Sequence, residues 1–303
     1  MLSAIVERHI ALHRATGYLF RKQSILLRGY ARFAEARGDN VVWAATALEW
    51  AGKGPTAGTR HGRLEVVRRF ARLMHAEDSR HEIPPPGVFG RQAPRRTPHI
   101  YTAKEIRNLL KAASALGPRG CLRAKMFTTM LGLIAATGLR ISEAMRLRLG
   151  DVTTTGLVVR ESKFRKSRLV PLHPTTQRAL DTYLKIRAKF AGTDDAVFLS
   201  ERGTGLRYPT VISTFLVLVR SIGIHPGAGQ RGPRIHDLRH TFAVRSLEQC
   251  AGNSDAVARH MLALSTYLGH AHIFDTYWYL QATPRLLADV AAKCESLAQR
   301  GGR

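Results

Sequence analysis

A chain of 303 residues has room for two domains, each large enough to bury its own core. Apolar residues make up 45% and charged residues 23%, but 47 Lys and Arg stand against 22 Asp and Glu, 37 of the cations are Arg, and the net charge is +25. Guanidinium forks suit phosphate, so nucleic acid is the first partner class and a membrane surface the second, while a disordered polyampholyte, a disulfide-stapled secreted domain and a membrane span are excluded.

The N-terminus carries Glu7, Arg8 and His9 where a signal peptide needs apolar residues. Cys121, Cys250 and Cys294 are scattered without a Cys-x-x-Cys pair, which favours a reducing cytoplasm and no metal knuckle. Up to about residue 80 the spacing predicts four short helices. Ile5, Ile10 and Leu12 begin the face of the first, and Ile25, Leu26, Tyr30, Phe33 and Ala34 that of the second. Val41–Trp50 forms the third, Gly52–Gly58 a turn, and Leu64–Met74 the fourth, with Arg68, Arg69 and Arg72 offered to a phosphate backbone.

Residues 81–99 hold five prolines and two glycines, a composition that ends helices and favours an extended, semi-rigid linker. Arg91, Arg95 and Arg96 give it positive charge, suited either to a phosphate backbone or to plain solvation. Residues 100–303 read as a second, mostly helical domain. Thr102 and Glu105 form a capping box for a helix through Ala113. Helices are expected at Cys121–Ala136, Ser142–Arg148, Thr175–Phe190, Pro209–Ile222, His236–Cys250, Ala256–Tyr267 and Pro284–Ala298. Between them Gly156–Ser162, a turn at Lys163–Ser167 and Arg168–Pro171 read as a β-hairpin. The apolar stretch Met126–Leu139 is too short to span a bilayer. The expected class is therefore mainly α: an N-terminal helical bundle plus a mostly helical mixed domain with a small antiparallel sheet.

Single motifs are weak. His236 and His240 lie one helical turn apart, as in a zinc helix, but Asp237 follows His236 and no third ligand appears at a familiar spacing, so no metal is expected. The order of motifs is informative: Ala136-Thr-Gly-Leu-Arg140-Ile-Ser-Glu143, then the hairpin with Lys163, then His236-Asp-Leu-Arg239-His240, then Leu268-Gly-His270 with Tyr279 nine residues on. This set resembles the tyrosine recombinase (phage-integrase-like) family, in its arginine box, hairpin lysine, second box, Leu-Gly-His and tyrosine, over nearly the whole chain. The absence of a further N-terminal arm-binding domain suits a two-domain, Xer-like or transposon-encoded member. A longer interval between Arg239 and His270, with Gly252–Asp255 as an extra loop, departs from compact members.

The resemblance implies a helical core-binding domain over 1–80 and a catalytic domain over 100–303. It implies that Tyr279 attacks a DNA phosphodiester to give a 3′-phosphotyrosyl intermediate. Arg140 and Arg239 would clamp the non-bridging oxygens, and His270 would donate to the same phosphate. Lys163 would protonate the departing 5′ oxygen, and His236 would be the acid/base partner of Tyr279. Arg165 and Lys166 on the same turn would touch DNA, and Lys166 competes with Lys163 for its role. Tyr277 competes with Tyr279, with Tyr277 and Trp278 expected to pack. Glu143 would orient its neighbourhood, and His240 is expected to be a core histidine. The covalent bond stores the energy of the cut, so no ATP, metal or other cofactor is required.

By the same resemblance the C-terminal helix docks on a neighbouring protomer in a tetramer on DNA. The activity is integration, excision or transposition through a Holliday junction at a double-stranded recombination site in the bacterial nucleoid, with a sister recombinase as a possible second partner. The rivals are a type IB topoisomerase-like relaxing enzyme and a non-catalytic architectural DNA-binding protein. The latter would share the charge without needing the six site residues.

Overall fold

The computed structural model describes residues 1–90, 96–118, 120–160, 167–190, 194–226, 232–249, 254–270, 272, 274–277 and 279. Two compact units divide the chain, Met1–Arg96 and Thr97–Arg303.

The first unit holds α1 (Leu2–Ala15), α2 (Arg21–Glu35), α3 (Ala44–Gly52) and α4 (Ala57–Glu77). Its core joins Val6 and Ile10 to Leu27, Tyr30, Ala31 and Ala34 of α2 and to Val67, Phe70 and Met74 of α4. The buried stripe of α2 runs at i, i+3, i+4 and i+7 from Leu27. This corrects the expected faces, because Ile25 and Leu12 are 67% and 62% exposed. Each stands two positions from a buried residue, about 200° around the helix, and so points to water. α4 also begins earlier than Leu64, because the Thr56 hydroxyl caps it by accepting from Thr59 N at 3.1 Å. The start of the proline-rich stretch is fixed to this unit. Glu82 N donates to Val42 O at 2.7 Å and Arg68 Nε to Pro84 O at 3.1 Å.

The second unit runs through α5 (Ala103–Ser114), α6 (Leu122–Thr137), α7 (Ile141–Arg146), three strands, α8 (Pro174–Arg187), α9 (Tyr208–Ser221), α10 (His236–Glu248), α11 (Ser254–Leu268) and α12 (Phe274–Tyr277). The expected capping box is present: Thr102 N donates to Glu105 Oε2 at 2.6 Å and Glu105 N to the Thr102 hydroxyl at 3.1 Å. α6 is apolar on most sides because it is the central helix. Phe127, Met130, Leu131 and Ile134 pack with Leu109 of α5, Leu180 and Tyr183 of α8, Phe215 of α9 and Leu238 of α10.

The sheet is antiparallel in the order β1 (Val152–Thr153), β2 (Gly156–Val159), β3 (Arg168–Val170), with Val152 opposite Leu157 and Val159 opposite Arg168. The hairpin was expected and β1 was not; two residues are too few to show a period. α11 starts at Ser254, so Ser254 and Asp255 are helical where a loop was expected. A second cluster packs Ala243, Val244 and Leu247 of α10 against Met261, Leu264 and Leu268 of α11 and against Tyr279. Among the described residues, no helix is long and apolar enough to cross a membrane.

Candidate active site

α6 ends on Gly138, whose φ of +65° is a left-handed conformation that glycine adopts without penalty. A Cβ there would lie 2.6 Å from Phe242 Cδ1 and 3.0 Å from Leu268 Cδ2. That turn brings Arg140 to the start of α7, where its backbone N donates to Glu143 Oε2 at 2.9 Å. The guanidinium donates to Glu143 Oε1 at 2.7 Å, Leu268 O at 3.4 Å and Gly269 O at 3.3 Å.

Glu143 is buried between two arginines. Arg168, at the start of β3, donates from Nη1 to Oε1 at 3.2 Å and from Nη2 to Oε2 at 2.9 Å. Burial alone would raise the Glu143 pKa, but Arg168 and then Arg140 outweigh it and hold the carboxyl at about 2. Arg168 had not been singled out in the sequence as a site residue. Its only signal there is its place at the head of the strand that follows the lysine-bearing turn.

Arg239, on α10, is 1% exposed. Its Nη1 donates to Gly138 O at 2.7 Å, and Nη2 donates to Leu268 O at 2.8 Å and to His270 Nε2 at 3.1 Å. Burial, then the Arg140 charge, lowers its pKa to about 10, against attraction to Tyr279 and a hydrogen bond that Arg239 donates to it. His270 follows Gly269, whose φ of +67° turns the chain out of α11. The other ring nitrogen of His270 lies 2.7 Å from the Thr276 hydroxyl. Tyr279 is 3% exposed, stacked with His270 at 5.9 Å between ring centroids and tilted against His240 at 5.4 Å.

His240 meets His236 edge-on at 4.6 Å. Burial first and neighbouring arginines second lower His236 and His270 to about 4, which keeps both neutral. Burial and His236 lower His240 to about 3. The first turn of α10 is anchored by Asp237, which is fully buried and paired with Arg234 at 2.8 Å.

The structure therefore brings Arg140, His236, Arg239, His270 and Tyr279 together, from α7, α10 and the chain after α11. Tyr277, the last residue of α12, is 46% exposed. His240 is buried as expected, but against Tyr279. Lys163, Arg165 and Lys166, like Arg91, Arg95, Trp278 and the helix expected over residues 284–298, lie outside the described residues. In the first unit Arg69 and Arg72 are exposed on α4, Arg96 is half-buried, and Arg68 is occupied by Pro84 and by Glu65 at 3.8 Å.

Residues 100–285 match the model of the phage integrase family. The chain belongs to that family. Its members are tyrosine recombinases, enzymes that break and rejoin DNA. Among similar proteins, y4rB of Sinorhizobium fredii, described as an integrase/recombinase, is 36% identical over 300 residues, covering 96% of each chain. The tyrosine recombinase XerD of Caulobacter vibrioides is 30% identical over 305 residues, covering 98% of this chain and 95% of its own. The fold is shared with the XerH site-specific recombinase bound to a palindromic difH substrate, at a TM-score of 0.67 and 16% identity over 97% of this chain and 85% of that one. It is shared also with the Tn1549 transposon integrase in complex with transposon right end DNA, at 0.66 and 18% over 97% and 99%. The family's motif order and this packing thus meet in one chain, with Arg168 as the member that sequence order did not disclose.

Proposed function

We propose that the protein is a site-specific recombinase in which Tyr279 attacks a DNA phosphodiester. The observation that carries this reading is the convergence of Arg239, His270 and Tyr279 in one buried cluster beside Arg140. A phosphate brought to this cluster meets two guanidiniums, whose charge stabilises the pentacoordinate transition state. The Tyr279 oxygen forms a bond to phosphorus as the 5′ oxygen leaves, the phenolic proton passing to neutral His236 and the leaving oxygen taking one from Lys163. Reversal with a different 5′ hydroxyl rejoins the strands, so ATP and a metal are not needed.

The DNA contacts are assigned to Arg69, Arg72, Arg95, Arg96, Arg165 and Lys166, and to Arg68 if DNA displaces its contact with Pro84. Solved relatives support assembly: a lambda integrase tetramer bound to a Holliday junction shares the fold at a TM-score of 0.62. By that likeness, four copies of this chain work on two double-stranded sites through a Holliday junction, coupled by the C-terminal helix, on bacterial chromosomal or mobile DNA.

The test is capture of detergent-resistant protein–DNA adducts, with DNA that flanks the gene as substrate. The wild type should form adducts, Tyr277→Phe should retain them and Tyr279→Phe should lose them. Loss in Tyr277→Phe alone would move the nucleophile. Tight binding without any adduct would support the architectural reading.

A further inference from the structure

We infer that Arg168 is a positioning residue for this site: as the counter-ion of Glu143, it leaves the charge of Arg140 available to a phosphate. The inference rests on the recombinase reading. Glu143 has a single negative charge, a side chain 1% exposed, and two guanidiniums on it. Arg140 reaches it at 2.7 Å and Arg168 at 2.9 and 3.2 Å. With Arg168 present, that charge is shared. Without it, a buried carboxylate would be balanced by Arg140 alone, and a strengthened charge-assisted bond would compete with the incoming phosphate.

Arg168 also braces the turn on which both other arginines lean. Its Nε donates to Tyr267 O at 2.7 Å, next to Leu268, whose carbonyl accepts from Arg140 and Arg239. Gly269 covers the guanidinium so closely that a Cβ would lie 2.9 Å from Nη1. All three Arg168 nitrogens have acceptors inside the protein, and its side chain is only 12% exposed. Arg168 is therefore built to hold Glu143 and the 267–269 turn, and the phosphate is left to Arg140.

The test is single-turnover adduct formation by the full chain on the DNA site mapped by adduct capture. It compares wild type, Arg168→Ala, Arg168→Lys, Glu143→Gln and the double variant Arg168→Ala/Glu143→Gln. Arg168→Ala should slow adduct formation by about 10- to 100-fold with DNA affinity unchanged, since displacement of a charged group by about 1 Å suffices for such a loss. Removing the competing carboxylate should restore most of that loss, so the double variant should be faster than Arg168→Ala. A neutral methylphosphonate at the scissile position needs less of the Arg140 charge and should narrow the gap between wild type and Arg168→Ala. A purely structural defect would slow both substrates alike.

Adduct formation by Arg168→Ala at the wild-type rate, or a double variant slower than the single one, would overturn the inference alone. A wild type that forms no Tyr279-dependent adduct would overturn the recombinase reading and the inference with it. If Arg168→Ala fails to fold, Arg168→Gln, which fills the space without the charge, makes the same comparison with and without Glu143→Gln.

Discussion

Arg239 donates through Nη2 to the Nε2 atom of His270 at 3.1 Å, across 31 positions of the chain. A guanidinium has donors only, so this nitrogen of His270 must accept, and the ring proton is assigned to Nδ1, facing the Thr276 hydroxyl at 2.7 Å. This arrangement holds His270 in a tautomer that does not donate from Nε2. A phosphate that draws Arg239 onto its oxygens frees Nε2. With Nε2 free, proton exchange with solvent can remove the proton from Nδ1 and place one on Nε2, and the Thr276 hydroxyl then turns to donate to the bare Nδ1. A hydroxyl suits both states because it accepts in one and donates in the other.

Thr276→Val keeps the shape and removes this ability. Thr276 is fully buried, so the loss is that of one buried hydrogen bond, about 1–3 kcal/mol. DNA affinity should be unchanged while adduct formation falls by roughly tenfold or more, 1.4 kcal/mol being a factor of ten. Thr276→Ser should be close to wild type. Equal rates for Val and Ser would remove the hydroxyl from the argument.

Arg239→Lys should be far from conservative. The guanidinium serves Gly138 O, Leu268 O and His270 Nε2 from two nitrogens that point in fixed directions. One ammonium cannot span them, and buried carbonyls would lose their donors. Adduct formation should drop by at least about 100-fold, the scale for losing a preorganised donor to a developing oxyanion. Denaturant unfolding should show a loss of about 2–4 kcal/mol.

Much of this was written locally in the chain. The Thr102–Glu105 box, the left-handed turns at Gly138 and Gly269, and the position of His236 at the start of α10 follow from short-range chemistry, and each appears where its motif stands. What stayed hidden depends on distant partners. Arg168 is one of 37 arginines until β3 carries it beneath the 267–269 turn. The nine-residue interval from His270 already favours Tyr279 over Tyr277, but the packing of Tyr279 against His240 and His270 depends on those distant partners.

Gly138→Ala tests how far the backbone sets the site. The added methyl would sit at positive φ and 2.6 Å from Phe242. Left-handed strain costs about 1–2 kcal/mol before any clash. Because Gly138 O accepts from Arg239 Nη1, activity should fall more than stability does. An activity loss that a lower assay temperature fully recovers would mean the glycine serves only folding.

The pH dependence of stability should show two stages. His236 and His270, at about 4 in the folded chain, and His240, at about 3, lie below their ordinary 6.5. The unfolded chain therefore binds protons first as pH falls below about 6.5, and stability declines from there toward the folded values. Glu143 acts in a lower window. Its pKa falls from an ordinary 4.5 to about 2, so its contribution is complete above pH 4.5 and is lost as pH drops toward about 2. A shift of that size corresponds to roughly 3 kcal/mol. Denaturant unfolding should find Glu143→Gln less stable than wild type near neutral pH. Between about pH 4.5 and 3 the variant should lose less, because it has no carboxylate to protonate. Parallel curves for the two proteins would show that the Arg140–Glu143–Arg168 cluster does not depend on the charge of Glu143.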